Sequence, residues 1–103
     1  MPIEKDAFFS MLGIAMRAGA LSLGEDGVLN AISSGKAGLV LVDAGASENT
    51  RKRFSDSCAY YGVTLRLTQA GRLSSAIGKQ GRMSAAVKAG GLCDKLLSLA
   101  GEG

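Results

Sequence analysis

Residues 35–62 leave this chain few architectures. They begin Gly35-Lys-Ala-Gly-Leu-Val-Leu-Val-Asp-Ala-Gly, continue through Ser47-Glu-Asn-Thr-Arg-Lys-Arg-Phe, and close at Tyr60-Tyr61-Gly62. The apolar block at 39–42 has no polar alternation, so it reads as a strand buried on both faces. It breaks at Asp43 and Gly45, and Ser47 then opens a basic helix by capping its first free N–H groups. Strand, polar loop and helix in that order make an α/β unit. In such units function gathers in the loop at the strand's carboxyl end.

The rest of the chain repeats the alternation. Phe8, Leu12, Ala15 and Met16 recur at helical spacing, which predicts a helix over 4–18 that stops at Gly19. Leu21-Ser22-Leu23 is a minimal strand. Gly24 follows, and then a second helix begins with Glu25 and Asp26, where a helix N-terminus favours negative charge. Val28, Leu29 and Ile32 mark its buried face, and Gly35 ends it. After the strand at 39–42, the helix from Ser47 carries Thr50, Phe54 and Cys58 on one face. Val63, Leu65 and Leu67 alternate with Thr64 and Arg66, as in a strand with one wet face. Leu73 and Ile77 predict a short helix ending at Gly78. Residues 84–87 form a small-residue strand, and Gly90-Gly91 turn the chain. Leu92, Leu96 and Leu97 pattern a last helix, with a frayed tail at 100–103. This alternation argues for one domain spanning 1–103, with a central sheet covered by helices on both faces.

Composition narrows the chemistry. At 103 residues the chain can bury one modest core. It has no His, which removes imidazole base catalysis, Ser/His and Cys/His nucleophile pairs and His-ligated metals. Cys58 and Cys93 are too few to hold a metal and read as buried thiols, with a single disulfide as the other option. No metal and no cofactor are expected. Two Tyr, three Phe and no Trp leave little for base-stacking platforms. A net charge of +3 and a pI near 9.1 permit a nucleic-acid partner without requiring one. No apolar run reaches membrane-spanning length, and the N-terminus lacks the pattern of a secretory signal, so a cytoplasmic protein is expected.

Phosphate-loop motifs fail. The loop after 39–42 offers only Gly45, and Gly78-Lys79 is followed by Gln80 where a P-loop needs Ser or Thr. Gly78-Lys79-Gln80-Gly81 has the spacing of a backbone-clamping Gly-x-x-Gly loop, but a strand follows it where a second helix should stand. Lys79 and Arg82 still place two cations beside a flexible loop. Glu25 and Asp26, adjacent on a helix, point in different directions and form no catalytic pair. Asp43 is the best lone acid or base, and its simpler role is a turn residue. Arg51, Lys52 and Arg53 span most of a helical turn and read as a solvated face. No enzyme is expected.

The ordered segments resemble a known family. Leu12-Gly-Ile-Ala-Met-Arg-Ala-Gly, Leu23-Gly-Glu-Asp with Val28, and Ser34-Gly-Lys-Ala-Gly-Leu-Val-Leu-Val are similar to the L-seven-Ae ribosomal protein family. Ala46-Ser-Glu-Asn-Thr, Cys58-Ala-Tyr-Tyr-Gly-Val and Ser75-Ala-Ile-Gly-Lys continue the likeness, which covers about residues 8–97. It is nearest to the small bacterial members encoded near translation genes. The resemblance implies a three-layer α/β/α sandwich with a small mixed sheet. It also implies binding of kink-turn RNA, a sharply bent helix–bulge–helix.

By that resemblance, RNA meets residues 24–30, helped by the loop at 79–84. Family members carry an amide, a Glu and a Lys where this chain has Asp26, Gly27 and Asn30. The expected RNA-binding residues are therefore Gly24, Glu25, Asp26, Gly27 and Asn30, with the cations Arg17, Lys36, Lys79 and Arg82. Carboxylates here would meet base-edge donors while the cations meet the backbone. The expected protein is a monomer that recognises structured RNA, with the ribosome as a further partner. The alternative, motivated by Gly27 and Asn30, is a protein-interaction scaffold of the same fold.

Overall fold

A computed structural model describes residues 2–101. Its elements run in the order α1 (Asp6–Arg17), β1 (Leu21–Leu23), α2 (Glu25–Ser33), β2 (Ala37–Asp43) and α3 (Glu48–Tyr61). They continue with β3 (Thr64–Thr68), α4 (Arg72–Ile77), β4 (Ser84–Lys88) and α5 (Gly91–Ala100). The strands form one mixed sheet in the order β1-β4-β2-β3. β2 and β3 run parallel, with Leu39 opposite Thr64, as the intervening helix requires. β4 is antiparallel to both β1 and β2.

The sheet divides the core in two. Leu39, Leu41, Ala85 and Val87 face Phe8, Leu12, Leu73 and Leu96 from α1, α4 and α5. Val40, Val42 and Ala86 face Val28, Ile32, Phe54 and Cys58 from α2 and α3. Consecutive β2 residues point to opposite sides, so an unbroken apolar run serves both layers. This is the three-layer arrangement expected.

The boundaries follow local chemistry. Ser47 caps α3, its Oγ accepting from the Thr50 N–H at 3.2 Å, and Gly62 ends it in the left-handed region at φ 72°. α1 starts at Asp6, not at residue 4. The segment before it is extended, and Ile3 bridges to Thr68 beside β3. Ile3 is buried and donates its N–H to Leu67 O at 2.8 Å, so the N-terminal residues serve the sheet edge. On α2 the buried face is Val28, Ala31 and Ile32, with Leu29 only half-buried. On α5, Cys93, Leu96 and Ala100 are buried and Leu92 and Leu97 are half-buried. In the tail expected to fray, Ala100 closes α5, and residues 102 and 103 lie outside the described residues.

Both cysteines are buried and free. Cys58 belongs to one core layer and Cys93 to the other, so the sheet keeps them from forming a disulfide. Burial pushes the Cys58 thiol up to about 11 and raises Cys93 as well, so both stay protonated near neutral pH. Among the described residues no helix is long and apolar enough to cross a membrane.

Candidate functional site

One end of the sheet gathers the carboxyl ends of β1, β2 and β3 and the start of β4. Asp43, the last residue of β2, organises it. Its carboxylate is buried and accepts from the Gly45 N–H at 2.7 Å and the Gly71 N–H at 2.9 Å. Its own N–H donates to Met83 O at 2.8 Å. Asp43 therefore joins three loops: the one leading to α3, the one leading to α4 and the one leading into β4. Both oxygens are engaged by backbone amides, and the residue acts as a clamp.

The loop between α4 and β4 is held just as closely. Ser74 Oγ accepts from the Arg82 N–H at 2.9 Å and donates to the Arg82 carbonyl at 3.1 Å. Ser74 O in turn accepts from the N–H groups of Gly78 at 2.9 Å and Lys79 at 3.2 Å. One serine thus closes a loop from 78 to 82 and fixes where Arg82 leaves the backbone. Gly78 and Gly81 sit at φ 82° and 74°. β4 follows this loop, where a Gly-x-x-Gly backbone clamp needs a second helix, so the loop is not of that type.

Two hollows flank the loop, and Gly81 lines both. On the α4 side lies an open depression of about 500 Å³ lined by Ser74, Ser75, Lys79 and Gln80. On the other side lies a cleft of about 230 Å³ between the start of α2, the first turns of α3 and the start of β4. Its walls include Gly24, Glu25, Thr50, Arg82 and Met83, with Phe54 at its floor. Phe54 is fully buried and Met83 is 43 % exposed, so the cleft is apolar below and cationic at one rim. Gly24 bridges β1 and α2 at φ 80°, ψ 153°, a conformation side chains rarely adopt. A Cβ there would stand 3.9 Å from Arg82 Nη1.

The expected binding residues are distributed unevenly. Gly24, Glu25 and Arg82 meet at the cleft, and Lys79 stands on the adjoining loop. Asp26 and Gly27 occupy the first turn of α2 beside them, and Asn30 lies one turn from Asp26 along the helix. Asp26 and Asn30 are exposed, and nothing approaches within 4 Å of where a Gly27 Cβ would stand. Arg17, in the last turn of α1, folds its guanidinium back over Gly13. That glycine also faces Ala76 O of α4, so Arg17 reaches the α4 side of the surface. Lys36 is not brought in. It precedes Ala37, which pairs with Lys88 at the far end of the sheet, while Ser84 pairs with Val42 at the near end.

The structure adds residues that sequence reasoning passed over. Thr50 and Met83 line the cleft. The basic run on α3 splits three ways. Arg51 is half-buried, Lys52 pairs with Asp56 at 3.1 Å, and Arg53 Nη1 meets Glu25 Oε1 at 2.6 Å. Arg53 is therefore part of the site and not simply a solvated residue. Spacing offers no signal for this pair, whose members lie 28 positions apart in the chain.

These features sit on a fold with solved counterparts. A protein of unknown function from Bacillus halodurans C has 33% identity and a TM-score of 0.88, over 95% of this chain and all 100% of that one. The Giardia lamblia 15.5kD RNA binding protein has a TM-score of 0.80 at 17% identity, over 99% of this chain and 92% of that one. The class is thus a small single-domain α/β protein with an L-seven-Ae-like fold. No protein-family model matches the chain. In sequence it is 40% identical to the RNA-binding protein YlxQ of Bacillus subtilis (strain 168) over 93 residues, which is 89% of this chain and 93% of the relative. The RNA-binding protein YlxQ of Enterococcus faecium is 44% identical over 54 residues, 52% of each chain. The chain belongs to the YlxQ family.

Proposed function

We propose that this protein binds structured RNA with a sharp bend, of the kink-turn type, and does so without catalysing a reaction. The bound surface is the end of the sheet where the start of α2 faces the loop carrying Lys79 and Arg82. The observation that carries this reading is the pair of hollows on either side of one cation-bearing loop, which is pinned by Ser74. A straight duplex presents a convex surface, whereas a bent internal loop offers splayed bases and converging backbones. Here the cleft takes an unstacked base edge against Met83, and Lys79, Arg82 and Arg17 take phosphates. Asp26 and Glu25 then serve as acceptors for base N–H groups. The RNA-binding names of the YlxQ relatives support the partner class. On this reading the protein works as a monomer on ribosomal or similar RNA in the cytoplasm.

Calorimetric titration with a kink-turn duplex and with a straight duplex of equal length, at low and moderate salt, tests it. The expected result is at least about tenfold tighter binding to the bent RNA, with both affinities falling as salt rises. Equal affinity for the two would sink the reading. One observation favours the scaffold alternative: Tyr60 and Tyr61 form an exposed aromatic pair at the C-terminus of α3, 82 % and 48 % exposed. Protein partners that stay bound after nuclease digestion would favour that role.

A further inference from the structure

We infer that Arg53 and Glu25 act as one unit at the mouth of the cleft, in which Arg53 is a positioning residue that cancels the charge of Glu25 and presents it to RNA as a hydrogen-bond acceptor. The inference rests on the RNA-binding reading above and deepens it. Arg53 Nη1 meets Glu25 Oε1 at 2.6 Å and so joins α3 to the first residue of α2. Glu25 lines the cleft, and Arg53 directly precedes Phe54 at its floor. The two side chains are 59% and 43% exposed, so a ligand can reach both. Oε2 of Glu25 has no hydrogen-bond partner among the described residues.

The electrostatics give the pair its purpose. Glu25 and Asp26 place two carboxylates in the first turn of α2, on the ground where a polyanion must settle. Left bare, they would repel it. A carboxylate bound to a guanidinium contributes little net charge at a distance, yet its second oxygen still accepts from a base N–H. A guanine edge, with N–H donors and no nearby charge, is the chemistry this arrangement suits. Gly27 has no side chain to offer, so Glu25 and Asp26 are the acceptors available in this turn.

The test titrates the bent and straight RNAs with wild type, Arg53→Gln, Glu25→Gln, Glu25→Ala and the Arg53→Gln/Glu25→Gln double variant. Arg53→Gln should weaken binding about fivefold at low salt, a loss that shrinks as salt screens the exposed carboxylate. The double variant should return to within about twofold of wild type, because no charge remains to cancel. Glu25→Gln should bind at least as well as wild type, and Glu25→Ala should bind about fivefold worse than Glu25→Gln. An Arg53→Gln loss that is absent or independent of salt, a double variant as weak as Arg53→Gln, or Glu25→Ala equal to Glu25→Gln would each overturn the inference. If wild type binds both RNAs equally, the preference for bent RNA falls, and the same comparison on the straight duplex still decides the pair. If it binds neither, both readings fall.

Discussion

The two ends of the sheet both carry cations, but they hold them in different ways. At the far end Lys36 and Lys88 stand exposed beside a strand pairing whose register shifts between Ala37 and Leu39, and the Ala89 N–H donates to Lys36 O at 3.0 Å. At the near end Arg82 leaves a loop closed twice by Ser74, above a clamp formed by Asp43 and beside a cleft. Net charge cannot distinguish these two ends. Positioning can, because a cation held in place loses less conformational freedom when it meets a phosphate.

The largest expected effect breaks the near end at its root. Asp43→Ala removes a buried acceptor from the amides of Gly45 and Gly71 and frees the loops it joins. Unfolding in urea should show a loss of about 3 kcal/mol, and Asp43→Asn, which keeps one acceptor oxygen, should lose less. If Asp43→Ala is as stable as wild type, the clamp is incidental and the near end owes its order to something else.

A direct comparison of the two ends comes next. Arg82→Ala should weaken RNA binding about tenfold, whereas Lys36→Ala should change it by no more than about twofold. Both substitutions remove one positive charge, so they are matched in net charge. Equal losses in a titration at one salt concentration would mean that overall charge, and not the pinned loop, governs binding.

Much of this architecture could be read from local pattern. The α3 cap at Ser47, the stop at Gly62 and the doubly buried β2 all follow from residue types within a few positions of one another. Asp43 was legible as a turn residue, because its Oδ1 bonds Gly45 two positions on. Its second partner, Gly71, lies 28 residues away and leaves no local trace. The same distance hides the Arg53–Glu25 pair. Ile3 carries no signal in the sequence because one apolar residue has no period, yet the edge of β3 gives it a partner. Strand order was equally silent in local pattern, since it is set by which faces can be buried together. The cleft needed Met83 and Thr50, which come from different elements and carry no motif between them.

The smallest expected effect asks how closely RNA approaches the near end. Gly27 sits in the first turn of α2, and a Cβ added there would meet no atom within 4 Å. Gly27→Ala should therefore stabilise the protein by about 0.5–1 kcal/mol, through reduced freedom of the unfolded chain and better helix propensity. A higher urea midpoint with an unchanged slope would show it. The same variant reports on the surface. If the RNA backbone passes over residue 27 in close contact, a methyl group there lowers affinity despite the firmer helix. If the contact is made by Glu25 and Asp26 reaching past it, affinity holds or rises slightly, because the turn that presents them is better ordered. A fall in stability would show instead that α2 needs the freedom of glycine at this position, which its open surroundings argue against.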